Sequence, residues 1–172
     1  MSELKKKNLI IINGTMGIGK TATSMELQKL LPNAVFLDGD WCWNMIPFVV
    51  NNETKSMVTN NITYLLNNFI HCSVYANIIF CWVMHEQSII DEIVSKLDIE
   101  HCTLHIFSLV CSKDSLIKRI NMDIDCGKRT SDVIERSLTR LNLYYDLETT
   151  NIDVSEITAK DAAEIMKLLI GA

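Results

Sequence analysis

Proline and glycine are scarce in this chain, at two and six residues in 172. So little of either excludes a collagen-like chain or a proline-rich extended linker. Cysteine occurs six times, at Cys42, Cys72, Cys81, Cys102, Cys111 and Cys126, yet nowhere as a C-x-x-C pair. That spacing gives no zinc or redox signature, and the cysteines, most of them inside apolar runs, are read as free thiols. The neighbours His71-Cys72 and His101-Cys102 do not share one face of a helix or strand, so they are read as structural rather than as zinc ligands. Long apolar runs are missing too. The stretch "VYANIIFCWVM" falls well short of the ~20 residues of a membrane span. The opening "MSELKKKNLIII" has the lysines of a secretory leader, but its apolar run is too short and ends in Asn-Gly. A soluble, cytoplasmic protein without a membrane partner is expected. Positive charge is in deficit, with 16 Lys and Arg against 21 Asp and Glu. A nucleic-acid binder working through a broad basic face is thereby disfavoured.

Against these absences stands a hydrophobic content of 48%, ample for the core of a single domain spanning residues 1–172. Short apolar runs alternate with helical periodicity. Strands are expected over Asn8–Asn13, "AVFLDGD", "NIIFCWV", "TLHIFSLVC" and "TNIDVS". Helices are expected over Thr21–Leu31, Thr54–Tyr75, Gln87–Leu97, Lys113–Asn121, Ser131–Leu147 and Ala159–Ile170. Strands separated by helices throughout predict an α/β fold with a largely parallel sheet.

The most specific signal is "LIIINGTMGIGKTATSMELQKLL". Gly14-x-x-x-x-Gly19-Lys20-Thr21 fits the P-loop (Walker A) pattern, with a strand before it and a helix after it. Main-chain N–H groups from Thr15 through Met16, Gly17, Ile18, Gly19 and Lys20 would cradle phosphate oxygens, and the helix running on through Ala22 would offer its positive end to the same anion. Lys20 would reach the β- and γ-phosphates, and the Thr21 hydroxyl would become a Mg²⁺ ligand. A rival reading takes Gly17-x-Gly19-x-x-Ala22, with Asp38 beyond, as a dinucleotide fingerprint. It places Gly17 too far from the strand and leaves Lys20-Thr21 unexplained. After the second strand, "LDGD" sets Asp38 and Asp40 at the carboxyl end of a parallel sheet, where ligands bind. Two carboxylates so close call for a metal, a basic partner or a raised pKa. A kinase needs one acid to take the acceptor's proton and can use a second to hold Mg²⁺.

"GTMGIGKT" followed by "LDGD" resembles the small P-loop kinases: shikimate and gluconate kinases, adenylylsulfate kinase, and the chloramphenicol phosphotransferase and tunicamycin-resistance-like proteins. The resemblance extends over nearly the whole chain, through the "RSLTRL" helix and "IDVS", and is similar to bacterial proteins called nucleotide kinases or AAA-type ATPases. It implies a P-loop three-layer sandwich with a five-stranded parallel sheet in the order 2-3-1-4-5, binding ATP and Mg²⁺ at its carboxyl edge. It further implies that Asp38 assists the metal, Asp40 faces the acceptor, Arg119 lies flat on adenine, and Ser155–Thr158 closes over the base. The sequence departs from many P-loop proteins in one respect: Trp82 stands where a Walker-B acid would end the third strand, and Glu86 comes only beyond it.

The charged stretch "RINMDIDCGKRTSDVIERSLTR" reads as a lid, placed at about residues 121–131. Arg129 is the expected catalytic guanidinium, with Lys128 and Arg136 as helpers. The acceptor region is expected over about residues 40–75. There Trp41, Trp43, Pro47 and Phe48 supply apolar surface, Asn60, Asn61, Asn67 and Asn68 supply hydrogen-bonding groups, and Trp82 and His85 close from the third strand. Lys55 is the only basic residue between Trp41 and Tyr75, which suggests an uncharged acceptor. These features together predict an ATP- and Mg²⁺-dependent phosphotransferase acting on a small molecule, as a monomer or homodimer. In this reading Lys20, Asp40 and Arg129 are catalytic, and Thr21 and Asp38 hold the metal. The alternatives are a P-loop ATPase or switch without a small-molecule acceptor and, less favoured, a nicotinamide-dependent oxidoreductase.

Overall fold

The computed structural model describes residues 6–171. The opening "MSELK" of the leader-like stretch lies outside them. The strand β1 (Lys7–Asn13) is followed by α1 (Lys20–Leu30), β2 (Ala34–Asp38), α2 (Asn52–His71) and β3 (Asn77–Cys81). After these come α3 (Gln87–Ser95), β4 (Cys102–Val110), α4 (Lys113–Asp125), α5 (Asp132–Leu141), β5 (Thr150–Asp153) and α6 (Ala159–Ile170). The five strands form one sheet in the order β2-β3-β1-β4-β5, and every pairing is parallel. This is the P-loop α/β architecture.

The alternation of side chains along β1 explains the three layers. Leu9 and Ile11 pack toward α2 and α3 with Val58, Ile62 and Ile90. Ile10 and Ile12 pack toward α1, α4, α5 and α6 with Leu27, Leu116 and Ala163. All four β1 side chains have zero exposure. A strand buried on both faces has to read as a continuous apolar run, as this one does.

Where the strands end, a side-chain amide continues the sheet. Asn13 Nδ2 donates to the Met84 carbonyl at 2.7 Å, while Asn13 Oδ1 accepts from Met84 N at 2.9 Å and from Gly14 N at 2.8 Å. The end of β1 is thereby clasped to the chain leaving β3, next to the loop that starts at Gly14.

Several expected boundaries move. The second helix begins two residues early, because Asn51 and Thr54 form a reciprocal capping box. It ends at His71 because the chain must turn back to β3, where Ala76 N donates to Asn33 O. Helix α4 runs on through Asp125, so the expected lid shrinks to a short link around Gly127, Lys128 and Arg129. The expected helix Ser131–Leu147 stops at Leu141 and tightens into a 3-10 turn over Asn142–Asp146. All six cysteines are free thiols, and no described helix is long and apolar enough to cross a membrane.

Within that tight turn Tyr144 is fully buried, its hydroxyl has no hydrogen-bond partner, and burial pushes its pKa up. Removing an unpaired buried hydroxyl relieves a desolvation cost. Tyr144→Phe is therefore expected to leave stability unchanged or raise it by about 1 kcal/mol in urea titrations. Because the folded-state pKa is raised, Tyr144 also makes wild-type stability fall as pH climbs past the ordinary tyrosine value of about 10. That loss should be absent from the variant; a destabilised variant would show that the hydroxyl has a partner.

Candidate functional site

Helix α1 starts on Gly19, which takes a left-handed φ of 107°, without a side-chain cap and without an acid in its first turn. The helices α2, α4 and α6 are instead capped by Asn51, Ser112 and Thr158. The first N–H groups of α1 thus remain available to an anion. Gly17 has a φ of +79°, and an added Cβ there would meet Ile120 Cγ1 at 2.6 Å. A loop this close to its neighbours tolerates only glycine at that position.

Lys20 is buried. Its Nζ donates to the Thr15 carbonyl at 2.9 Å, and it has no salt bridge among the described residues. Burial pulls its pKa down, with Cys81, Asp40 and Asp38 acting in the opposite direction. Thr21 Oγ1 donates to Asp38 Oδ2 at 2.6 Å, and the other Asp38 oxygen accepts from Asp40 N at 3.0 Å. That bond begins a one-turn 3-10 segment over Gly39–Trp43. Asp40 stands at the surface of the cleft, where partial burial first and Asp38 second raise its pKa, while Lys20, Trp82 and Arg129 lower it. Cys81 ends β3 in register with Asp38. Its thiol is pushed up to about 12, mainly by burial, and stays protonated beside the two acids.

Lys20, Thr21 and Asp40 border two cavities, whereas Asp38 and Cys81 line neither. One, of about 640 Å³, is lined by Gly17, Gly19, Lys20, Thr21, Ala22, Asp40, Arg119, Lys128 and Arg129. Met16 and Asp40 also belong to the second, of about 680 Å³. The predicted loop residues divide between two tasks. Gly17, Gly19, Lys20 and Thr21 face the first cavity. Gly14, Thr15 and Ile18 turn inward, with Ile18 in the core and Thr15 Oγ1 donating to Ser137 O at 3.0 Å. Arg129 lines the first cavity with its Nε bound to Asp123 Oδ2 at 2.9 Å. Arg136 instead pairs with Asp132 and lines neither cavity. Arg119 donates to the carbonyls of Ile18, Val154 and Ile157, tying the phosphate loop to the segment after β5. A smaller cavity of about 450 Å³ adjoins Arg119 and is lined by Ser155, Glu156, Ile157 and Thr158.

The second cavity corrects the acceptor region read from sequence. Trp41, Trp43, Phe48 and Val83 form its apolar wall, with Asn44 and Arg140 as polar members. Trp82 and His85 are not on that wall. At the end of β3 side chains alternate sides, so Val83 takes the cavity position, while Trp82 packs so closely over Gly39 that an added Cβ would lie 2.5 Å from Trp82 Cγ. His85 sits 3.5 Å from Glu86, its pKa lowered first by burial and then by Arg140. None of Asn60, Asn61, Asn67 and Asn68 lines the cavity; Asn67 holds Lys96 O and Asp98 N instead. Arg140 was missed because it lies on α5, far along the chain from the acceptor stretch. It adds a cation to this cavity from outside the stretch Trp41–Tyr75, in which Lys55 is the only Lys or Arg.

A family model described as an AAA domain matches residues 10–140. The chain belongs to the AAA domain family. No protein of curated function matches it in sequence. Among solved structures, the tunicamycin resistance protein of Deinococcus radiodurans shares 17% identity with this AAA-domain chain at a TM-score of 0.70, over 96% of both chains. A sugar kinase from Janibacter shares 10% at a TM-score of 0.68, over 96% of this chain and 95% of its own. The shikimate kinase of Acinetobacter baumannii, solved with shikimate, shares 20% at a TM-score of 0.65, over 98% and 96%. At such identities the likeness is one of fold, and it places this AAA-domain protein among P-loop kinase folds.

Gly39 supports both Asp40 and Trp82, which gives a direct test of the site's packing. Gly39→Ala is expected to cost about 1–3 kcal/mol, the usual penalty for overpacking, and to shift Trp82 fluorescence. Unchanged urea stability together with unchanged emission would contradict the close packing described.

Proposed function

We propose that the protein is a phosphotransferase that moves the γ-phosphoryl group of ATP to a hydroxyl of a small molecule, with Mg²⁺ as cofactor. The observation that carries this reading is the sharing of Asp40 and Met16 by two cavities. One is built on the phosphate loop. The other has aromatic walls and a volume typical of a small-molecule site. A pure ATPase has no use for the second cavity, and a nicotinamide-binding site has none for a buried lysine at its phosphate loop.

The residues present fit a magnesium-bound triphosphate. The uncapped α1 terminus and the Lys20 ammonium await negative charge, and the Thr21–Asp38 pair offers a hard-oxygen donor set. The hydrogen bond from Thr21 to Asp38 brings the two oxygens together, and they would hold Mg²⁺, which when bound neutralises phosphate charge as the phosphoryl group transfers. Lys20 and the loop amides stabilise that charge from the protein side. Arg129, anchored by Asp123 at the rim, adds a guanidinium from the link after α4. Asp40 accepts the acceptor's proton: its raised pKa makes its carboxylate a better base than an ordinary one. The acceptor oxygen bonds to the γ-phosphorus, the bond to the β–γ bridging oxygen breaks, and ADP leaves.

Lys20→Ala should abolish Mg-ATP binding in titration calorimetry, or weaken it by at least about tenfold, while urea stability stays at or above the wild-type value, since a buried unpaired charge is removed. Asp40→Asn should lower kcat by about 10²–10⁴-fold with little change in KM for ATP. Ionised Asp40 is the active form, so wild-type turnover should fall as pH drops through a value above the ordinary aspartate pKa of about 3.9. The residual rate of the variant should lack that acid limb. Wild-type turnover by Asp40→Asn would remove Asp40 from the role of base.

A further inference from the structure

Two acids line the cavity on the phosphate loop, Asp40 and Asp123. Asp40 has a role in the proposed reaction. Asp123 does not, and a carboxylate in that wall repels the phosphates that Lys20 and the loop amides attract. Its place is fixed by α4. Arg119 and Ile120, about one turn earlier on this helix, are joined to the phosphate loop: Arg119 Nη1 donates to Ile18 O at 2.9 Å, and Ile120 fills the space where Gly17 lacks a side chain. Residues four apart share a helix face, so Asp123 follows Arg119 on the face that meets the cavity.

From there Asp123 holds the link after α4 at two points. Its carbonyl accepts from Lys128 N at 2.8 Å, across the turn that Gly127 makes with a φ of +71°. Its carboxylate accepts from Arg129 Nε at 2.9 Å, and both side chains of this pair are partly buried. Neither Nη group of Arg129 has a hydrogen-bond partner among the described residues. The charge of Arg129 is felt at both Lys20 and Asp40, so the guanidinium faces the end of the cavity where the proposed transfer occurs. An arginine held by Nε alone presents its two Nη groups as a fork, a geometry that suits phosphate oxygens. Letting go of Asp123 would turn a bare carboxylate toward that phosphate, so the incoming charge favours a closed pair.

We propose that Asp123 is a positioning residue for phosphoryl transfer. It grips Nε of Arg129, stays paired when the triphosphate enters, and so aims both Nη groups at the γ-phosphate. The inference rests on the phosphotransferase reading of the same cleft, and it adds the group that orients the guanidinium.

Nucleotide binding tests this without turnover. Calorimetry compares the magnesium complexes of ADP and of the non-hydrolysable imido analogue of ATP, and the ratio of the two affinities reports contacts to the γ-phosphate. Asp123→Asn and Asp123→Ala remove the same charge, but only asparagine keeps an oxygen that can accept from Nε. The preference for the triphosphate analogue is expected to be about tenfold smaller in Asp123→Ala than in Asp123→Asn, the worth of one aligned charge-assisted hydrogen bond. Combined with Arg129→Ala, the two substitutions should become equivalent. Binding of Mg-ADP certifies the fold of each variant, and Asp123→Ser, too short to reach Nε, replaces Asp123→Ala if that variant does not bind it. Equal preferences in the alanine and asparagine variants would reduce Asp123 to its charge or to a structural role. A larger preference in Asp123→Ala would make the pair a latch that has to open. Either result overturns the inference, as does a difference that survives Arg129→Ala, and all three leave the phosphotransferase reading standing. Failure of both nucleotides to bind the wild-type protein overturns that reading and the role of Asp123 with it.

Discussion

A buried ammonium without a carboxylate against it is the constraint around which this structure is arranged. Lys20 sits at the first turn of α1, satisfied only by the Thr15 carbonyl, and burial works against its charge. An isolated buried ion is expensive, and the surroundings lessen that expense only partly. Asp38 and Asp40 act on it from the end of β2, and the free N–H groups of α1 add positive potential rather than relieving it. The strands hold this imbalance in place, because β1 from Leu9 onward and the whole of β3 are buried and paired in register and cannot yield to relax it. An anion carrying several oxygens answers the lysine and the helix terminus together.

Rigidity and openness are divided along the same edge. The floor of the site is built from elements with no freedom: a strand enclosed on both faces, glycines pressed against Ile120 and Trp82, and an arginine strapped to three carbonyls. The walls of the second cavity come from a loop rich in exposed apolar side chains and from α5, beyond the short link at Gly127. The charge-bearing floor is thus preorganised, while the walls of the second cavity are segments attached to it at their ends.

Much of this was legible in the sequence, and the reasons differ from part to part. The β1 run, the Gly14–Thr21 loop and the Asp38–Asp40 turn are local: one stretch of chain supplies each, and its spacing reflects its chemistry. The strand order and the parallel sheet followed from the resemblance and from the alternation of strands with helices. The acceptor cavity was legible only in part. Trp41, Trp43 and Phe48 are neighbours in sequence and could be grouped. Arg140 could not, since its place beside them depends on how α5 returns across the carboxyl edge, which no spacing records. The asparagines of α2 misled for a similar reason: a polar helical face shows amphipathicity but not which way it points. Charge after Arg119 does not break the helix there, because Leu116 and Ile120 hold α4 against the core and it runs on through Asp125, which leaves only a short link where a longer lid is expected.

The clasp made by Asn13 has a consequence of its own. One amide serves there as donor to Met84 O and as acceptor from Met84 N and Gly14 N, in a place with no solvent access. Aspartate differs from asparagine by little more than exchanging that NH₂ for an oxygen. It would set oxygen against the Met84 carbonyl and seal a negative charge beneath the very loop that gathers phosphate. Slow chemical ageing of that Asn-Gly linkage would therefore disarm the molecule from below, with every residue facing the ligand still intact.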